Sequence, residues 1–314
     1  MTDYHHRGAS MTKQAKPGFS ATAELTCLLR AKSYGEKRPL FKTDDYVAVI
    51  LSQSFHSPFS LQQKAFLLGD ESANFATAPG IYEYIVARTR FIDDIVKKTA
   101  GRFSKIFILG AGYDSRAIRF YPALQHSLVY EIDRPLMQQH KIKKLAECDI
   151  TPPSNLRFLP IDFNQQNLSD ALAQIPLQTG DKCLFLLEGL LMYLEPAHVK
   201  NLFNAISDYS SDGSQIIFDF VNQHALTEEI LFGGDEAGYG VKESVDCVRR
   251  IGEKWTFGIA ATEVEKVLQQ YGFALLDYAD ASKLAARFFA DERGRCQGKI
   301  NAAPALVYAS REKS

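Results

Sequence analysis

The sequence predicts an α/β fold: a doubly wound, seven-stranded, mostly parallel sheet preceded by a helical extension. Three observations carry that prediction. From Lys105 onward, short apolar runs alternate with helical patterns, the texture of a sheet covered by helices on both faces. Before residue 100 the pattern is helical alone. The first apolar run, KIFIL, turns directly into Gly110-Ala111-Gly112 and then Asp114-Ser115, a strand, a tight turn and a helix start.

Taken in order, residues 1–18 form a polar stretch with His5 and His6 and are expected to be a flexible tail; 19–314 is expected to be a single domain. SATAELTCLLRAKS opens with cap-type residues and repeats apolar positions at intervals of three and four, as a half-buried helix requires. TDDYVAVILSQSF and YEYIVARTRFIDDIVKKT repeat the pattern, with Pro39, Pro58 and Pro79–Gly80 as punctuation. This gives a helical cap over 19–100 and an α/β core over 101–314. The expected strands are Lys105–Leu109, Ser127–Ile132, Leu156–Ile161, Lys182–Leu187, Gln215–Val221, Ala274–Tyr278 and Ala305–Ala309. RPLMQQHKIKKLAE, PAHVKNLFNAISDY and TEVEKVLQQYG are helical patterns between them. The long connection before the last strand leaves room for it to run antiparallel. Residues 224–261, with GGDEAGYG, read as a less regular insert or lid.

Composition narrows the function classes. With 314 residues, 46% hydrophobic, 23% charged and a formal charge of -1, the chain can bury a substantial core and carries no dominant nucleic-acid or membrane-surface signal. No apolar run approaches the ~18 residues of a membrane span, and no secretory pattern opens the chain. A cytoplasmic protein is expected. Its Cys27, Cys148, Cys183, Cys247 and Cys296 lie far apart without a CxxC pair, as reduced structural thiols do. Neither HxxxH nor HExxH occurs, so no protein-bound metal is expected.

The candidate site residues fall at strand ends. Gly110-Ala111-Gly112-Tyr113-Asp114-Ser115 lacks the third glycine of a dinucleotide fingerprint, which weighs against a nicotinamide-dependent oxidoreductase. Roughly 20 residues on, Glu131 and Asp133 end the second strand, where an acid can receive ribose hydroxyls. Position alone does not separate the two. Asp162, in PIDF, could accept from an adenine amino group with Phe163 beside the ring, or could simply brace a turn. Glu188 closes the run LFLLE at the sheet's crevice, where a carboxylate needs a partner such as an ammonium. Tyr193 lies beside the same opening, with packing as its default role. Arg88 or Arg90, on the helix before the sheet, could offer a carboxylate a planar fork or remain a surface charge. Ribose, adenine, ammonium and carboxylate partners without a phosphate clamp describe S-adenosylmethionine.

VARTRFIDD, FILGAGYDSRAIRF, YEIDRP followed by Lys141, PIDF and LLEGLLMYLEP occur in that order between Arg88 and Pro196. In these blocks the chain resembles the leucine carboxyl methyltransferase family, in its bacterial branch of small-molecule O-methylation. The resemblance implies a class I methyltransferase-like fold and S-adenosyl-L-methionine as donor. It implies that Arg88 holds the methionine carboxylate, that Gly110 and Gly112 lie beneath the donor, and that Asp133 rather than Glu131 binds the ribose. Asp162 and Phe163 match the adenine contacts, Glu188 the acid near the amino end, and Tyr193 a position near the acceptor. YEYIVART replaces the Arg-Gly-Tyr-type text of the phosphatase-directed branch, which favours a small carboxylate or hydroxyl acceptor over a protein C-terminus. A non-catalytic donor-binding protein on the same scaffold is the third reading. With only Tyr193 and His224 as nameable bases, the sequence leans toward a methyl ester, because a carboxylate needs no base. Arg88→Ala is expected to weaken donor binding and leave the fold largely intact.

Overall fold

A computed structural model describes residues 20–56, 77–227 and 238–312. The tail 1–18, Pro58 and most of GGDEAGYG lie outside the described residues. Helix α1 (Ala21–Tyr34) begins at Ser20, whose Oγ accepts from Ala23 N at 3.1 Å. Helix α2 (Tyr46–Gln53) begins at Asp45, which accepts from Ala48 N at 3.0 Å. Both are side-chain caps on otherwise free backbone donors. Helix α3 (Ile81–Thr99) starts after Gly80, where φ is +75° and a Cβ would meet Asn301 N at 2.3 Å. Only glycine fits there.

Seven strands follow: β1 (Lys105–Leu109), β2 (Leu128–Asp133), β3 (Leu156–Pro160), β4 (Cys183–Leu187), β5 (Gln215–Val221), β6 (Phe273–Ala279) and β7 (Pro304–Arg311). Their order across the sheet is β3-β2-β1-β4-β5-β7-β6. β1 to β5 are parallel, and β7 runs antiparallel between β5 and β6. Each expected strand is present, and the last does reverse. Helices α4 (Pro135–Glu147), α5 (Pro196–Tyr209), α6 (Val241–Arg250), α7 (Val264–Gln270) and α8 (Ala281–Phe288) lie between or beyond them. The stretch read as a less regular insert therefore contains a ten-residue helix, α6. The long connection before β7 contains α8, which the sequence reading did not single out.

The pleat explains the two cores. Ile106 and Ile108 of β1 join α3 and α8 on one face, with Leu184, Leu186 and Leu306. Phe107 and Leu109 face the other way, into α5 and α7, with Phe185, Leu187 and Phe218. Successive strand residues alternate faces, so a central strand buried on both sides must be apolar throughout. α1 and α2 pack through Cys27, Leu28, Val47 and Leu51 against Tyr113 of the glycine loop and Met137 and Leu145 of α4. The helical cap is thereby fixed directly to the turn after β1. No helix among the described residues is long and apolar enough to cross a membrane.

Candidate functional site

β1 brings the chain to the carboxyl edge of the sheet at its centre, where the strand order reverses and α/β folds open a crevice. Gly110 and Gly112 take φ of +67° and +46°, which glycine adopts without steric cost. The next strand secures the turn. Gly110 N and Ala111 N donate to Ile132 O at 2.8 and 3.1 Å, and Gly112 N donates to Asp133 Oδ2 at 2.6 Å. Where the fingerprint would have its third glycine, Ser115 donates to Asp45 Oδ1 at 2.7 Å and accepts from Arg119 Nε at 2.7 Å. That position links the loop to α2.

Asp133 and Glu131 now separate. Asp133 lines the central cavity, and its Oδ1 accepts from Arg134 N at 2.7 Å. Each oxygen keeps a lone pair for a further donor. Burial raises its pKa despite the two backbone hydrogen bonds. Glu131 is 1% exposed and does not line the cavity; it accepts from Lys141 Nζ at 2.5 Å, and Lys141 also donates to Asp114 O at 2.6 Å. Burial pushes the Glu131 carboxyl up to about 7 against the pull of Lys141. Asp162 accepts from Asn164 N at 3.0 Å and Gln165 Nε2 at 2.9 Å, bracing its own turn. The turn reading of Asp162 is thus met, and the residue also lines the cavity beside Phe163.

The next cluster is a buried ion network. Arg88 Nε lies 3.0 Å from Glu188 Oε1, and its Nη1 donates to Asp219 Oδ2 at 2.7 Å. Glu188 Oε2 accepts from Arg116 Nη1 at 2.6 Å. Asp219, wholly buried in β5, also accepts from Tyr84 Oη at 2.8 Å and Gly189 N at 2.6 Å. Burial alone would raise the Glu188 pKa, but Arg116, Arg88 and Arg30 together hold it well below the usual carboxylate range. Arg88 lines the cavity, and no described residue accepts from its Nη2. The alternative arginine, Arg90, points elsewhere, donating to Leu40 O and Phe288 O. Because two buried carboxylates depend on Arg88, the expectation that Arg88→Ala would leave the fold largely intact is revised. Removing one partner of a buried pair leaves uncompensated charge.

On the β5 side, Tyr193 ends a short 3-10 turn, Leu191–Tyr193, and lines the cavity. Burial and the Glu253 carboxylate push its hydroxyl up to about 12. His224 is exposed and does not line the cavity, so it is not brought to the site. Asp219, Arg116, Glu253 and Trp255 are site residues the sequence reading missed. For Asp219 a signal existed, since an acid inside the run IIFDFV must find partners when buried.

Together these residues enclose a cavity of about 510 Å³, within the range of small-molecule sites. Its described lining carries six carboxylates (Asp114, Asp133, Asp162, Glu188, Asp219, Glu253) and four cations (Arg30, Arg88, Arg134, Lys254).

Comparison with known proteins agrees with this geometry. The family model described as "Leucine carboxyl methyltransferase" matches residues 23–207. A Mycobacterium bovis relative is 36% identical over 135 residues, 43% of each chain. A Mycobacterium ulcerans relative is 31% identical over 222 residues, 69% of this chain and 67% of the relative. Both are named "Putative S-adenosyl-L-methionine-dependent methyltransferase". The match thus spans less than half the length of the first relative. A duf574 family protein from Streptomyces avermitilis superposes with a TM-score of 0.57 at 10% identity, covering 92% of this chain and 97% of that one. At that identity the likeness concerns the fold.

Proposed function

The chain belongs to the leucine carboxyl methyltransferase family, and from that premise we propose that it is an S-adenosylmethionine-dependent O-methyltransferase acting on a small molecule. One observation supports the reading: Arg88, Asp133, Asp162, Phe163 and Glu188, the candidate partners for a nucleoside and an amino acid, line one cavity with more carboxylates than cations. The donor brings a sulfonium and an ammonium against a single carboxylate, so its charge suits that lining. A nicotinamide dinucleotide would bring a pyrophosphate to carboxylates, without the third glycine that lets helix and strand pack closely beneath it.

The residues present fit the donor. Asp133 has lone pairs free for ribose hydroxyls, and its fixed backbone partners hold it in place. Asp162 and Phe163 border the space for an adenine. The open Nη2 of Arg88 offers donors to a carboxylate, while Glu188 and Asp219 keep the guanidinium from moving. Glu188 provides negative charge for an ammonium. When bound, the donor supplies an electrophilic methyl group on sulfur. The chain's own contribution is to orient the acceptor beside it and keep water out, which accounts for much of the rate in such displacements.

Thermal unfolding tests this reading. S-adenosylhomocysteine at about 100 times its Kd should stabilise the fold by ~2.7 kcal/mol, and NAD should leave it unchanged. Stabilisation by NAD alone would return the chain to the oxidoreductase reading.

A further inference from the structure

Part of the cavity lining differs in chemistry from the charged residues described above. Met192, Val221, Val248 and Trp255 form that part and belong to a hydrophobic cluster separate from both faces of the sheet. Trp255 is 9% exposed, and its Nε1 has no acceptor in hydrogen-bond geometry among the described residues, with the Tyr193 hydroxyl as a neighbour. Glu253 lines the same cavity, and its charge acts on the Tyr193 hydroxyl beside Trp255. Its Oε1 accepts from Ala21 N at 2.9 Å, and its Oε2 accepts from Thr22 N at 3.3 Å and from the Thr22 hydroxyl.

Resting on the methyltransferase reading, we propose that this part is the acceptor subsite and that it takes an uncharged hydroxyl on an apolar body, with Glu253 receiving the hydroxyl proton. The apolar wall supplies binding area. The Trp255 N–H, beside the Tyr193 hydroxyl, adds a polar point to this otherwise apolar wall. Glu253 Oε1 accepts only one hydrogen bond from the described residues, so a lone pair is free for the acceptor's O–H.

Charge decides between hydroxyl and carboxylate. An acceptor carboxylate would sit beside Glu253, with the sulfonium of the donor as the one cation it faces. Lys254 is exposed, and Arg88 is already balanced by Glu188 and Asp219. Once that sulfur is neutral, as in S-adenosylhomocysteine, a second anion in that space loses its hydration without compensation. Burial and Glu253 push the Tyr193 hydroxyl beside it up to about 12. In the transfer an O–C bond forms as the C–S bond of the sulfonium donor breaks. The electron pair stays with sulfur, and the proton passes to Glu253 and on to solvent. The methyl ester toward which the sequence leans gives way to a methyl ether, because Glu253 supplies the base that no sequence spacing announced.

Trp255 is the chain's one tryptophan, so its emission reports directly on this subsite. The protein, saturated with S-adenosylhomocysteine, would be titrated near pH 7 with 4-tert-butylphenol and with 4-tert-butylbenzoate. These probes share an apolar body and differ in charge. Occupancy by S-adenosylhomocysteine is read separately by calorimetry, so failure of the donor reading cannot be mistaken for failure of this one. The phenol should shift Trp255 emission and bind at least about tenfold more tightly than the benzoate, the cost of one like-charge contact. Glu253→Gln should narrow that gap by strengthening benzoate binding; if that variant does not fold, the wild-type comparison still decides the acceptor class. Equal or tighter benzoate binding, or no response to either probe, overturns the subsite. A gap unchanged in Glu253→Gln overturns the role of Glu253.

Discussion

Two acids two residues apart on β2 should fail in different ways when removed. Asp133 faces the cavity and Glu131 faces Lys141. Asp133→Ala removes the carboxylate that holds Gly112 N at 2.6 Å and would receive the ribose. A hydrogen bond to a charged group contributes roughly 1.5–3 kcal/mol, which is a roughly 10- to 150-fold loss of S-adenosylhomocysteine affinity. Glu131→Ala leaves Lys141 fully buried, with Asp114 O as its remaining described partner at 2.6 Å. Breaking a buried pair from one side costs about 3–5 kcal/mol of stability, yet the cavity wall is untouched and donor affinity should hold. Calorimetry with S-adenosylhomocysteine and urea unfolding, run on both variants, separate affinity from stability. Equal affinity losses, or a larger one at Glu131, would show that the ribose partner is misassigned.

Other outcomes follow from the ion network. Arg88→Ala should lower both S-adenosylhomocysteine affinity and stability, the latter by about 3–5 kcal/mol, while Arg88→Lys recovers only part of each because a point charge cannot span two carboxylates; an Ala variant with unchanged urea midpoint would refute this. Glu188 is held below its ordinary value of 4.5, so its stabilisation is complete above that pH and is lost as pH falls below it. Glu188→Gln should therefore flatten the decline in stability below pH 4.5, measured by urea unfolding at a series of pH values. An unchanged acid slope would count against the network.

Much of the fold was readable because its signals are local. β1 after Lys105, and β4 throughout, are unbroken apolar runs ended by a glycine turn or an acid, and both strands are buried along their whole length. Ser20 and Asp45 announce α1 and α2 from the residue before each helix. The partners of charged groups are another matter. Arg88 meets Asp219 across 131 residues, and Ala21 meets Glu253 across 232. Nothing local marks such pairs, since each acid taken alone reads as a solvated surface residue. Asp219 is the exception, being enclosed by Phe218 and Phe220 in sequence as in space. The helix Ala281–Phe288 escaped notice because only Leu284 and Phe288 are buried along it, too few to stand out against a polar connection.

A crystal structure of the complex with S-adenosylhomocysteine tests the central claim most directly. Density is expected in the cavity between β2 and β4, with the ribose hydroxyls on Asp133 rather than Glu131. The adenine is expected beside Asp162 and Phe163 and the amino-acid carboxylate at Arg88 Nη2. A ligand bound away from the glycine loop, or one whose ribose leaves Asp133 without contact, would contradict that claim.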